Sequence, residues 1–446
     1  MSLTRSRPPR LIPAPLLGGM LAVTTLLGTA ACAGPGAGPV ATPTASPVPH
    51  GFVAGADEMA EPQLHLATVN AAGSLALLDL LDGTSTPVGT LDEVSGLSTD
   101  GRFLFAAAAG PGTVTIVDSG AWTVDHEDHQ HYYRAEPAVV GTVTGSGAGV
   151  VAGGGTLTTV RFADSGTGLI LDTGDLADGT VTELGRVAGD PGDGVLVPFG
   201  DSVLAGRTDA PGSAGPTDAP GSAGHGAAAV RVLDSSGTPV PGATADCAEL
   251  SGTITTRVGV VFGCADGALL ATAGTGADTD AGIAFERIPY PDGVTAADRA
   301  LEFGNRAGRP TVAAVAGDTG AWLLDTRERS WSRLATDTPL LRVAAVDDSA
   351  GHVVALAADG RVLVLDAATG STLAATEPLL PATLAAAETG DAGLLDGVDL
   401  TVDAGRAYLN APAEGLVHEI DFADTARIAR SFPIDGEPRF LAETGR

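Results

Sequence analysis

Gly360-Arg361-Val362-Leu363-Val364-Leu365-Asp366 decides how this chain is read. A glycine opens the stretch, a nearly continuous apolar run follows, and an aspartate closes it. The run is short, apolar and bounded by turn residues, so it reads as a strand. The same unit recurs at Gly73–Asp79, Gly112–Asp118, Gly155–Arg161, Gly226–Val232, Gly267–Ala271, Gly320–Asp325 and Gly415–Asp421, often with the closing aspartate. Successive glycines lie 39, 43, 71, 41, 53, 40 and 55 residues apart. A four-stranded propeller blade takes about 40–50 residues, so each unit marks one blade. The expected fold is therefore all-β, a single β-propeller of seven or eight four-stranded blades, with eight favoured by the motif count. A parallel β-helix would need shorter and more uniform repeats. A two-sandwich arrangement is the alternative architecture.

Around Gly360 the remaining strands of a blade are also legible. Leu341–Val346, Val353–Ala357 and the run from Ala374 are short and apolar. Asp347–Gly351 and Ala358–Gly360 separate them with turn chemistry. Helical periodicity is confined to short stretches near Ala296–Glu302 and Ala382–Glu388. Apolar segments at both ends, His65–Val69 and Arg439–Leu441, suit a shared blade that closes the ring and leaves no free edge. The 71-residue spacing holds a duplicated Thr-Asp-Ala-Pro-Gly-Ser-Ala-Gly block, Thr208–Gly215 and Thr217–Gly224. A disordered insertion is expected over about 208–225.

The N-terminus reads as an export signal. Arg5, Arg7 and Arg10 precede the apolar stretch Leu11–Leu27, and Thr29-Ala30-Ala31-Cys32 resembles a lipobox. Residues 1–32 are then a signal peptide, Cys32 is the lipidated first residue of the mature protein, 33–58 form a flexible tether, and 59–446 form the propeller domain. The expected location is the outer face of the cytoplasmic membrane, held by the lipid anchor only. An ordinary cleaved signal and a soluble product is the alternative. With Cys32 assigned to lipid, Cys247 and Cys264 remain, and in an oxidising compartment such a pair is most simply a disulfide. The net charge of −30 excludes nucleic acid as a partner.

Ligand chemistry is concentrated in Asp125-His126-Glu127-Asp128-His129-Gln130-His131, which holds three of the chain's 8 histidines. The segment follows the strand ending at Asp118 and so belongs to a connection or hairpin. His129 and His131 are two residues apart and face the same side of an extended chain. Zinc takes about four ligands, prefers imidazole nitrogen and accepts carboxylate oxygen. The expected ligands are therefore His126, His129 and His131, with Asp128 as the oxygen donor. Protons compete for the imidazoles, so binding should weaken as pH falls below about 6.5. The spacing is not HExxH, and no nucleophile elbow, phosphate loop or dinucleotide fingerprint is present. His418, between Val417 and Ile420, reads as a structural histidine, and the three tryptophans as blade packing.

Three stretches carry a family resemblance: His129–Pro137, Cys247 with Phe262–Gly267, and Val417–Asp424 with Leu441–Gly445. Together they resemble the AztD-type zinc metallochaperones, and the similarity spreads over roughly residues 60–446. The resemblance implies a secreted propeller that serves a zinc ABC importer. Such a protein hands Zn²⁺ to the importer's solute-binding protein and catalyses nothing. This chain departs from the family pattern where further propeller histidines would stand, at Gly192-Asp193, Ser251 and Arg439-Phe440. The resemblance therefore implies a retained histidine-rich segment and leaves a second, more rigid site in doubt. Two other functions fit a secreted propeller: an interaction scaffold with no physiological metal, and a lyase or lactonase with a metal in the central channel. The last requires several histidines or carboxylates on the innermost strands.

Overall fold

In the computed structural model, the described residues are 51–108, 110, 112–126, 129–192, 194–207, 229–274 and 282–446. The signal peptide, Cys32, the tether up to residue 50, the insertion at 208–225 and Asp128 lie outside them. The unit built by the described residues runs from Gly51 to Arg446.

The Gly360 unit shows how one blade forms. Its strands are Leu340–Ala345, His352–Ala357, Val362–Asp366 and Thr372–Ala375, each antiparallel to the next. Val362 and Val364 point to one side and pack with Val402, Leu409 and Ile420 of the following blade. Leu363 and Leu365 point to the other side and pack with Ala313 and Leu323 of the preceding blade. Side chains alternate along a strand, so a strand covered on both faces needs apolar residues at every position. That is the physical origin of the unbroken run.

The ends of the run have separate causes. Gly73, Gly112, Gly267, Gly320, Gly360 and Gly415 all lie at positive φ, in the turn between the second and third strands or, for Gly267, at the first residue of the third strand. At Gly73 a Cβ would also stand 2.0 Å from the Leu91 carbonyl oxygen. The aspartate closes the third strand and caps the next turn. Asp79 Oδ1 accepts from Leu81 N–H at 2.8 Å, and Asp366 Oδ1 accepts from Ala368 and Thr369 N–H at 3.0 and 2.7 Å. Such side-chain acceptors mimic a backbone turn. The Gly155 unit differs, because it leads into the second strand of its blade, Leu157–Phe162. The third strand there is Gly168–Asp172, and Asp172 caps the short helix Thr173–Ala177.

Eight four-stranded antiparallel sheets result, so the ring has eight blades. Eight apolar clusters lie between successive blades, each drawing on two neighbours. The shared blade is present: Pro438–Thr444 pairs with His65–Asn70, bringing Leu441 opposite Thr68 and Thr444 opposite His65. Cys247 and Cys264 are bonded, with Cα atoms 5.1 Å apart. Cys247 follows the last strand of the fourth blade, and Cys264 ends the second strand of the fifth. The helical stretches reduce to Pro381–Thr389 and the single turn Ala296–Asp298.

The second blade carries the departure from regularity that matters for function. Its third and fourth strands, Thr113–Asp118 and Ala138–Thr144, are joined through a hairpin, Ala121–Asp125 with Gln130–Arg134. Asp57–Met59 adds to this hairpin as a third strand. Residues Gly51–Glu58, which the sequence suggested as the end of a tether, thus belong to the folded unit.

Candidate metal centre

The hairpin is fastened at several points. Thr123 Oγ1 donates to the Gly445 carbonyl at 2.9 Å, and Arg134 forms an ion pair with Asp79 of the first blade at 3.2 Å. Along one face, Trp122 stacks on Tyr133 with centroids 5.1 Å apart, and Tyr133 stacks on His131 at 6.2 Å. The Arg102 guanidinium covers the Trp122 ring at 3.8 Å and is itself held by both carboxylate oxygens of Asp118. Cation–π contact and stacking together fix the ring orientations. Trp122 thus serves the hairpin, whereas Trp322 and Trp331 pack between the fifth and sixth blades as the sequence suggested.

Strand pairing explains why His131 ends this stack. Trp122 lies opposite Tyr133 and Val124 opposite His131. The period-two alternation puts Tyr133 and His131 on one face. His131 is only 7% exposed, whereas His126 and His129 are exposed. One imidazole is built into the fold, and two are carried on the turn above it. The turn itself is closed by the His126 N–H donating to the His129 carbonyl at 2.9 Å.

The three rings converge. Their centroids are 5.2 Å apart for His126 and His129, 5.3 Å for His126 and His131, and 4.8 Å for His129 and His131. Nε2 of His129 and Nε2 of His131 are 3.0 Å apart. Two imidazole nitrogens on one tetrahedral zinc, each about 2.0–2.1 Å from the ion, stand about 3.3 Å apart. Only a small opening would admit the ion in place of the shared proton. Among the described residues no group of three or more histidine, cysteine or acidic side chains is placed to hold a metal ion. The donors are gathered, and the ion would have to complete their arrangement. Asp128, the expected oxygen donor, lies outside the described residues.

Glu58 is the group that sequence reading missed. Its Oε1 lies 2.6 Å from His131 Nδ1, across 73 residues of chain. The positions where the family pattern has further histidines hold different interactions here. Ser251 Oγ donates to the Ala300 carbonyl at 3.0 Å, and Arg439 pairs with Asp391 and Glu437 at 2.8 and 2.9 Å. Asp193 lies outside the described residues. His418 is buried and its Nδ1 is 2.9 Å from Ser431 Oγ, the structural role expected of it. His352 opens a strand and contacts Asp348 at 2.6 Å.

No protein-family model matches the chain, and no curated protein does. Solved structures do. AztD from Citrobacter koseri aligns over 86% of this chain and 97% of its own length, with a TM-score of 0.66 and 19% identity. The chain has the fold of AztD. The apo structure of the same AztD aligns over 86% of this chain and 98% of its own, at a TM-score of 0.66 and 17% identity. Dihydro-heme d1 dehydrogenase NirN in complex with DHE also aligns, over 87% of this chain and 76% of its own, at a TM-score of 0.52 and 16% identity. A fold common to AztD and to a dehydrogenase fixes no chemistry, so function has to be argued from the site.

Proposed function

We propose that this chain is an extracytoplasmic zinc carrier. It binds Zn²⁺ through His126, His129 and His131, with Asp128 supplying an oxygen, and delivers the ion to the solute-binding protein of a zinc ABC importer. The observation that carries the reading is the convergence of the three imidazoles, with Nε2 of His129 and His131 3.0 Å apart. The sequence resemblance to AztD-type metallochaperones and the AztD fold support it. Two exposed ligands beside one fixed ligand suit a carrier. An incoming partner can replace His126 and His129 in turn while His131 still holds the ion. A closed four-ligand cage would release slowly. Lipidation at Cys32 would keep the carrier at the membrane where the importer works. Among the described residues no helix is long and apolar enough to cross a membrane.

No catalysis is part of this reading. A metal enzyme working in the channel would need ligands on the innermost strands, and the first strands of the eight blades carry no histidine and one carboxylate, Glu443. The test is transfer. Zinc-loaded protein is mixed with the importer's zinc-free solute-binding protein in the presence of a chelator that captures free ion. Zinc appearing on the recipient faster than the chelator strips it from the carrier alone is the expected result. Transfer no faster than that dissociation would contradict delivery and favour the interaction-scaffold reading.

A further inference from the structure

We propose that Glu58 is a positioning residue for zinc binding. It fixes His131 as the Nδ1–H tautomer, so that the Nε2 lone pair faces the incoming ion. The inference rests on the zinc-carrier reading and adds to it a residue from a segment that no ligand motif marks.

The geometry begins with strand register. Asp57, Glu58 and Met59 lie opposite Arg134, Tyr133 and Tyr132. Glu58 therefore shares a face with Tyr133 and with His131 two residues earlier, and it reaches His131 diagonally. A slip of one residue would turn the Glu58 side chain to the opposite face. In the observed register Glu58 Oε1 accepts from His131 Nδ1–H at 2.6 Å. With the proton held at Nδ1, Nε2 carries the lone pair, and it is Nε2 that lies 3.0 Å from His129 Nε2. A carboxylate on the far nitrogen of a metal-ligating histidine fixes its tautomer and ring direction and makes it more basic.

The strap leading to Glu58 closes on the same ring. The Gly51 carbonyl accepts from the Tyr133 hydroxyl at 2.8 Å. Gly51 has φ +81°, and a Cβ there would stand 2.9 Å from His131 Cε1 and Nδ1 and 3.0 Å from Glu58 Oε2. Gly51, Glu58 and Tyr133 thus enclose the Nδ1 edge of His131 while its Nε2 edge faces the turn. The Glu58 side chain is half-exposed, with 49% of its surface accessible, so replacing it leaves no buried cavity.

The test uses the mature protein and two variants, Glu58→Ala and Glu58→Gln, with zinc as the probe. Zinc affinity is read by competition with a chromophoric chelator. The His131 tautomer is read in the metal-free protein from its imidazole ¹⁵N shifts. Glu58→Ala is expected to weaken zinc binding by about 10- to 100-fold and to shift His131 toward a mixture of tautomers. Glu58→Gln keeps an acceptor for Nδ1–H, so it should retain the tautomer and lose less affinity. Unchanged affinity in Glu58→Ala, with binding abolished in a triple His126/His129/His131→Ala variant, would overturn the role of Glu58 and leave the carrier reading intact. Weakened binding with an unchanged tautomer would also overturn it, because Glu58 would then act other than by positioning. Wild-type protein that takes up no zinc would overturn both.

Discussion

Glu443 shows how one side chain can set a property of the whole ring. It lies on the closing strand with a fully buried side chain, and its Oε2 is 3.2 Å from Arg446 Nη1. Among the described residues neither carboxylate oxygen accepts a hydrogen bond; Arg446 Nη2 donates instead to the Glu443 backbone carbonyl at 3.5 Å. Burial pushes the carboxyl up to about 7, against the opposing pull of Arg446 and with a smaller push from Asp403. A carboxyl raised on folding adds stability that is complete below its unfolded pKa, near 4.5, and is lost as pH rises through about 7. The gap corresponds to about 3 kcal/mol at most. Glu443→Gln, neutral at every pH, should melt above the wild type at pH 8 and close to it at pH 5. Parallel melting profiles across that range would contradict the assignment. At the metal centre, the residue scale was partly legible in the sequence. The spacing of His129 and His131 gave their common side, because a strand repeats every two residues. Glu58 was not legible, because a strand register 73 residues away brings it to His131.

At the level of strands and turns, the sequence carried most of the information. Runs buried on both faces are apolar at every position, and the glycine and aspartate at their ends each perform a defined turn function. The Gly155 unit was misplaced by one strand because a glycine before an apolar run marks either hairpin of a blade. Two predictions belong here. Gly73→Ala forces a residue with a Cβ to φ +77° and against the Leu91 carbonyl, so it should destabilise the protein by about 1–3 kcal/mol in denaturant unfolding. Stability within experimental error of wild type would refute this account of the motif. Reducing the Cys247–Cys264 bond, which spans 17 residues and joins two blades, should lower stability by about 3 kcal/mol. Free-thiol titration of the unfolded, unreduced protein should find neither cysteine reactive.

For the whole molecule, the ring depends on its last strand. Pro438–Thr444 pairs with His65–Asn70, and its Leu441, Phe440 and Ala442 enter the apolar clusters on either side of the first blade. Removing 438–446 would bare the His65–Asn70 edge and weaken two of the eight interfaces. Loss of a single cooperative unfolding transition is expected, and a truncated protein that melts like the full chain would show that the ring closes otherwise. Blade number was legible from the motif count. The position of the hairpin above the first and second blades was not, because contacts such as Thr123 with Gly445 and Arg134 with Asp79 join residues distant in sequence. In the proposed carrier the ring buries His131 while His126 and His129 remain exposed. The most direct measurement of that claim is zinc titration of the wild type against the triple His126/His129/His131→Ala variant. The account predicts one zinc per chain on this hairpin in the wild type and none there in the variant. Equal stoichiometry and affinity in the two proteins would contradict it.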